Sequence, residues 1–165
     1  MRHLEACLGA LADVRSLAER PSEVEVALWF HDAIYDTHSS DNEKRSAEWA
    51  KQSAAAAGLT TDQVTRVSGL ILATQHSAVP AGTDAMVLVD IDLGILGADI
   101  GRFEEYEAQI REEYTWVPEP LYRQGRQKIL EEFAAREWIY CTDYFRAAYE
   151  DRARENIGRS IARLA

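Results

Sequence analysis

Apolar residues recur along this chain at intervals of three and four, and no stretch alternates as a half-buried strand would. Leu4, Cys7, Leu8, Leu11, Val14 and Leu17 form one such stripe, which predicts an amphipathic first helix ending before Pro21. Ser22 followed by Glu25 has the form of a capping box, so a second helix is expected from Glu23 to about Ala33. Val24, Val26, Ala27, Leu28, Trp29 and Phe30 make that helix nearly all apolar, and burial on most of its sides is expected. A loop over Tyr35 to Ser40 follows, and Asp41 is placed to cap a third helix that ends at Gly58. Thr60 with Gln63 repeats the capping-box pattern and opens a fourth helix reaching His76. Pro80 and Gly82 interrupt the chain, and Thr83 caps a fifth helix running to about Leu96 and closed by Gly97. Three further helices, from Phe103 to Tyr114, Pro120 to Ala135 and about Thr142 to Leu164, complete an all-α pattern.

No internal repeat, low-complexity tract or linker breaks this pattern, so the expectation is one compact multi-helix bundle over residues 1–165. That length suffices for a single sizeable core. The share of apolar residues, 47%, is that of an ordinary globular protein and not of a disordered one. Asp and Glu outnumber Lys and Arg by 28 to 18, a net charge of -10. A field of that sign repels polyanions, which argues against a nucleic-acid polymer as partner. A small phosphorylated substrate is compatible with it, because a metal and a few arginines reverse the sign locally. Cys7 and Cys141 are the only cysteines, and both sit among apolar helical residues. Buried free thiols in a reducing cytoplasm are expected. No run approaches a membrane span, and Glu5 interrupts the apolar start of the chain, so neither a signal peptide nor a membrane partner is expected. Self-association is left open.

The chemistry concentrates where polar groups interrupt apolar helices. His31 and Asp32 end the most hydrophobic helix of the chain, and burying both costs several kcal/mol unless something pairs with them. The two could satisfy each other or cap the helix. What favours a cation is their company: His3 lies on the first apolar stripe, and Asp90 and Asp92 interrupt the run VLVDIDLGIL. Two imidazoles with carboxylates form a mixed N/O set suited to a divalent ion, with zinc, manganese, iron, cobalt, nickel and magnesium all eligible, as one ion or two. Asp90 and Asp92 are about 200° apart around a helix axis, so only one can face a common site.

The order His, then His-Asp, then a distant Asp on separate helices resembles the HD superfamily of metal-dependent phosphohydrolases, in particular a bacterial branch of it. The resemblance is carried by ALWFHDAIYD around His31, DNEKRSAEWA from Asp41, Thr74 to His76 (TQH) and VDIDLGILG from Val89. IREEY from Ile110, GRQKIL from Gly125 and ARENI from Ala153 extend it over essentially the whole chain. It implies an HD-type helical bundle with metal ligands His3, His31, Asp32 and Asp92. Asp92 is preferred to Asp90 because the last ligand of the family is followed closely by Leu and a Gly-terminated helix end, as in DLGILG. Extra histidines of two-metal HD proteins occupy places comparable to His76, whose other reading is a cation at a helix C-terminus facing solvent. Glu43 would orient the attacking water or hold a second metal, and Arg45 would meet a phosphate with its fork of donors. Asp36 lies in the same short span and is a further candidate for the second metal or the substrate. Arg111, Tyr114 and Arg126 also match, although arginines in an acidic helix ordinarily form pairs between helices.

The implied activity is metal-assisted hydrolysis of a small phosphate ester, nucleotide-like by analogy, with Asp32 and Glu43 in the catalytic machinery. One departure qualifies it. Where relatives read Tyr-His-Asn, two residues, then His, this chain opens MRHLEA, so the upstream histidine would fall before position 1. In the similar metal-dependent cyclic-nucleotide phosphodiesterases that histidine donates the proton to the leaving oxygen. Its loss would weaken general-acid catalysis by roughly a hundred to ten thousand-fold. The alternative is a non-catalytic, metal-dependent ligand-sensing or interaction domain.

Overall fold

The three-and-four spacing of apolar residues is realised as helices throughout. The structure, a computed structural model, describes residues 2–165, and among the described residues there is no strand. The helices are α1 (Arg2–Val14), α2 (Pro21–Phe30), α3 (Asn42–Ala56), α4 (Thr61–Ala73), α5 (Thr83–Asp92), α6 (Ile100–Glu113), α7 (Glu119–Ala134) and α8 (Asp143–Leu164). Short 3-10 segments cover Arg15–Leu17 and Leu93–Gly97. The fold is therefore all-α. The helices fall into two compact units, Met1–Asp92 and Leu93–Ala165. No helix among the described residues is long and apolar enough to cross a membrane.

In the first unit α2 is the central element and packs on α1, α3, α4 and α5. Its start differs from the expected one. Pro21 takes the first helical position, where a missing N–H leaves no bond unmade, and Arg20 is the N-cap with no side-chain hydrogen bond. Ser22 thus lies inside the first turn, the Ser22–Glu25 box is not formed, and Glu25 accepts instead from Arg15 at 2.9 Å. Val24, Ala27, Leu28 and His31 are spaced as one helical face, and all four are buried. Trp29 is 55% exposed, so one stripe and not most of the helix is covered. The indole of Trp49 on α3 meets Phe30 edge-on at 5.7 Å. That contact satisfies an apolar side chain outside the buried stripe.

The segment joining α2 to α3 is tied down by two side chains of α3. The Ser46 hydroxyl accepts from the Ile34 N–H and donates to the Ile34 carbonyl, and Asn42 both accepts from and donates to the backbone of Asp36. Asp41 occupies the N-cap position, but its carboxylate takes the Ser39 hydroxyl instead of a helix N–H. The Thr60–Gln63 box forms as expected and starts α4. That helix ends at Ala73, three residues before His76. Backbone bonds from Thr74, Gln75 and His76 to carbonyls three residues back unwind it. The last residue of α5 is Asp92, where the backbone tightens to 3-10 geometry, so the α-helix expected to run to Leu96 stops one residue short of Leu93.

The second unit is organised around the 3-10 segment. Asn156 of α8 donates to the carbonyls of Leu96 and Ala98, Arg152 to that of Gly97, and the Tyr140 hydroxyl to that of Leu93. Gly97 sits so close to α8 that a Cβ there would lie 2.7 Å from the Cβ of Tyr149, which explains a glycine at this position. Buried Glu150 accepts from the N–H groups of Ile139 and Tyr140 and pairs with Arg154. Arg126 pairs with Glu107 and Arg111 with Glu119, the interhelix ion pairs that arginines in acidic helices ordinarily make. Cys141 is half-buried, not buried as expected, and both cysteines are free thiols.

Candidate metal centre

Three helices of the first unit deliver polar side chains to one point. His3 comes from the first turn of α1, and Cys7, four residues later, lies on the same face. His31 caps the C-terminus of α2, Asp32 follows it, and Asp92 closes α5. The buried stripe of α2 carries His31 inward to 2% exposure. Its Nδ1–H donates to the Leu28 carbonyl at 2.8 Å, a bond that fixes the ring and turns Nε2 toward the cluster.

Around that Nε2 the donor atoms are crowded. His3 Nε2 lies 3.1 Å from His31 Nε2 and 3.0 Å from Asp92 Oδ1. His31 Nε2 is 3.4 Å from both Asp92 Oδ1 and Asp32 Oδ2, and the latter is 3.8 Å from His3 Nε2. Ligands held by bonds of about 2.0–2.2 Å must stand about 2.9–3.6 Å apart, the lower end for octahedral and the upper for tetrahedral sets. All of the observed separations but the 3.8 Å between Asp32 and His3 fall within that range. With His31 Nδ1–H spent on Leu28, lone pairs on nitrogen and carboxylate oxygen face one another with few protons between them. Such an arrangement calls for added positive charge. His3, Cys7, His31 and Asp92 offer ligand atoms that all lie within 4.8 Å of one another, so this group can hold a metal ion.

Without an ion, protons supply the charge. Burial by itself pushes the His31 pKa down, but the hydrogen bond to Asp92 and the charges of Asp92 and Asp32 more than offset it and carry it to about 9. Burial pushes Asp92 up, yet hydrogen bonds from His3, His31 and His76 hold its carboxyl well below the usual carboxylate range. The Cys7 thiol is pushed up by burial first and by the fields of Asp92 and Asp32 second.

Of the residues singled out in the sequence, His3, His31, Asp32 and Asp92 are brought together, and His76 joins them. The other reading of His76, a solvent-facing cation at a helix end, does not hold. Its backbone is left-handed, with φ 52°, a region that non-glycine residues enter at a cost of about 1–2 kcal/mol. The turn re-aims the ring inward, to 20% exposure, and its Nε2 donates to Asp92 Oδ2 at 3.0 Å. Asp92 is thus held from both oxygens. Asp90 is fully buried and lies outside the four-residue group. Asp36, Glu43 and Arg45 make no hydrogen bond or ion pair with the cluster among the described residues. Asp36 accepts from the His38 N–H at 2.9 Å, Arg45 lies 4.0 Å from Asp41, and Glu43 is half-buried in the first turn of α3. Cys7 is the member that sequence reasoning assigned to the core alone. Its spacing of four from His3 was the available signal.

If His76 positions Asp92, then His76→Asn should weaken metal binding about 10–100-fold, the usual loss on removing an outer partner of a ligand. Asparagine tolerates the left-handed backbone, so folding should be little affected. Metal affinity measured by chelator competition checks this, and an unchanged affinity would refute the role.

No protein-family model, no curated protein and no solved structure matches this chain.

Proposed function

We propose that this protein is a metal-dependent phosphohydrolase of the HD type, acting on a small, nucleotide-like phosphate ester. The observation that carries the reading is the convergence of His3, His31 and Asp92, with Asp32 alongside, at the mutual spacing of metal ligands. The order of these residues along the chain is that of the HD superfamily, which supplies the reaction class. A bound divalent ion would supply the Lewis acidity that makes water nucleophilic near neutral pH and draws charge from phosphoryl oxygens. The chain's own contributions are distinct from that. Leu28 fixes the tautomer of His31, and His76 holds Asp92 Oδ2 so that Oδ1 faces the two imidazoles. Asp32, half-exposed at the mouth of the cluster, is placed to contact both metal and incoming water. Iron, manganese, cobalt, nickel, zinc and magnesium, as one ion or a pair, are the candidates from which metal analysis would select.

A second reading is favoured by the positions of Glu43 and Arg45. Neither the proposed base nor the proposed phosphate clamp is joined to the cluster, as a metal-dependent ligand-binding module without turnover would have it. One experiment separates the two. The purified protein is assayed for bound metal and then, metal-loaded, against a panel of phosphomonoesters and phosphodiesters. Turnover that Asp32→Ala and chelation abolish supports hydrolysis. Stoichiometric metal with no turnover across the panel supports the binding module. A metal-free protein that takes up no ion overturns both.

A further inference from the structure

The His-His-Asp-Asp set accounts for nitrogen and oxygen donors, but the structure adds sulfur. Cys7 is 2% exposed and lies one helical turn from His3 on the same face of α1. Its Sγ is 3.6 Å from His3 Nε2. In a tetrahedral site with a metal–sulfur bond of about 2.3 Å and a metal–nitrogen bond of about 2.0–2.1 Å, neighbouring sulfur and nitrogen stand about 3.5–3.6 Å apart. The measured separation matches. Sγ also falls within 4.8 Å of the ligand atoms of both His31 and Asp92, so it faces the whole group and not His3 alone.

We propose that Cys7 is a protein ligand of the metal beside His3, His31 and Asp92, so that the site takes a thiophilic borderline ion such as zinc, cobalt or ferrous iron and excludes magnesium. Thiolate is a soft donor, whereas magnesium demands oxygen ligands in octahedral geometry. On coordination the S–H bond is exchanged for a sulfur–metal bond, the proton leaves to solvent, and no change of oxidation state occurs. This inference rests on the metal-centre reading but is independent of whether the protein hydrolyses anything.

Cobalt(II) provides the test, because its spectrum reports each ligand class separately. Cobalt added to the full metal-free chain should give visible d–d bands and a near-ultraviolet thiolate-to-cobalt charge-transfer band. Cys7→Ser should lose the charge-transfer band and bind zinc at least about ten-fold more weakly, the least that loss of even an outer partner produces. Cys141→Ser should leave both unchanged. Excess magnesium should not displace the cobalt. Should Cys7→Ser fold poorly, Cys7→Ala, which leaves no hydroxyl to bury, gives the same readout. If cobalt binds the wild-type chain with d–d bands but no charge-transfer band, the metal centre stands and the sulfur ligand is refuted. If cobalt does not bind at all, the metal centre and this inference fall together.

Discussion

Replacing Asp92 with asparagine should empty the metal centre, reducing bound metal to less than about a tenth of the wild-type level. Asp92 is the one residue that touches every imidazole of the cluster: Oδ1 lies 3.0 Å from His3 and 3.4 Å from His31, and Oδ2 accepts from His76 at 3.0 Å. Asparagine keeps the shape and loses the charge, and its amide nitrogen cannot ligate. The metal-free chain should be destabilised as well, by about 3–5 kcal/mol when a buried charge is left unpaired. Deprotonation of His31 would soften that loss above neutral pH. Asp90→Asn supplies the contrast, since Asp90 is buried but lies outside the group. It should lower the melting temperature and leave metal content intact. Elemental analysis of folded, chelator-washed samples of both variants decides the matter. Wild-type metal content in Asp92→Asn, or loss confined to Asp90→Asn, would assign the ligand wrongly.

Periodicity made the helices readable because a 3.6-residue repeat survives whatever the helix packs against. Helix ends were less accessible, for local reasons. Ser22 has the chemistry of an N-cap, but the preceding Pro21 is already set to a helical φ and draws the start two residues earlier. Asp41 stands at a helix start, yet the nearer Ser39 hydroxyl takes its carboxylate. At the site, His3, His31, Asp32 and Asp92 stood out because each interrupts an apolar run. His76 and Cys7 were harder to weigh. His76 reaches Asp92 only through a left-handed backbone that no sequence rule assigns to histidine. Cys7, apolar enough for a core stripe, matches the stripe pattern whether it packs or ligates. The choice between Asp90 and Asp92, open by helical geometry alone, turns on which of two directions 200° apart faces α1 and α2, and in the structure it is Asp92 that does.

The pH dependence of stability should change sign when metal is added. In the metal-free chain the His31 pKa is raised from 6.5 to about 9, so its pairing with Asp92 contributes fully below about pH 6.5 and is lost as pH rises through about 9. A shift of that size corresponds to a loss on the order of 3 kcal/mol. Asp92 acts at the other end: its lowered pKa contributes stability above the ordinary carboxylate range and loses it as pH falls below. Metal-free protein should therefore be most stable between about pH 4 and pH 6.5 and decline in alkali. Metal competes with protons for His31 and Cys7, so its stabilisation should be small in acid and grow with pH, opposite in sign to the proton effect. Thermal unfolding at pH 5.5, 7 and 9, in chelator and in excess zinc, gives both curves. The gap between them should widen steadily with pH. A metal-free melting temperature that stays level from pH 7 to 9 would mean that His31 and Asp92 are not coupled, and a gap that narrows with pH would mean that zinc binds elsewhere.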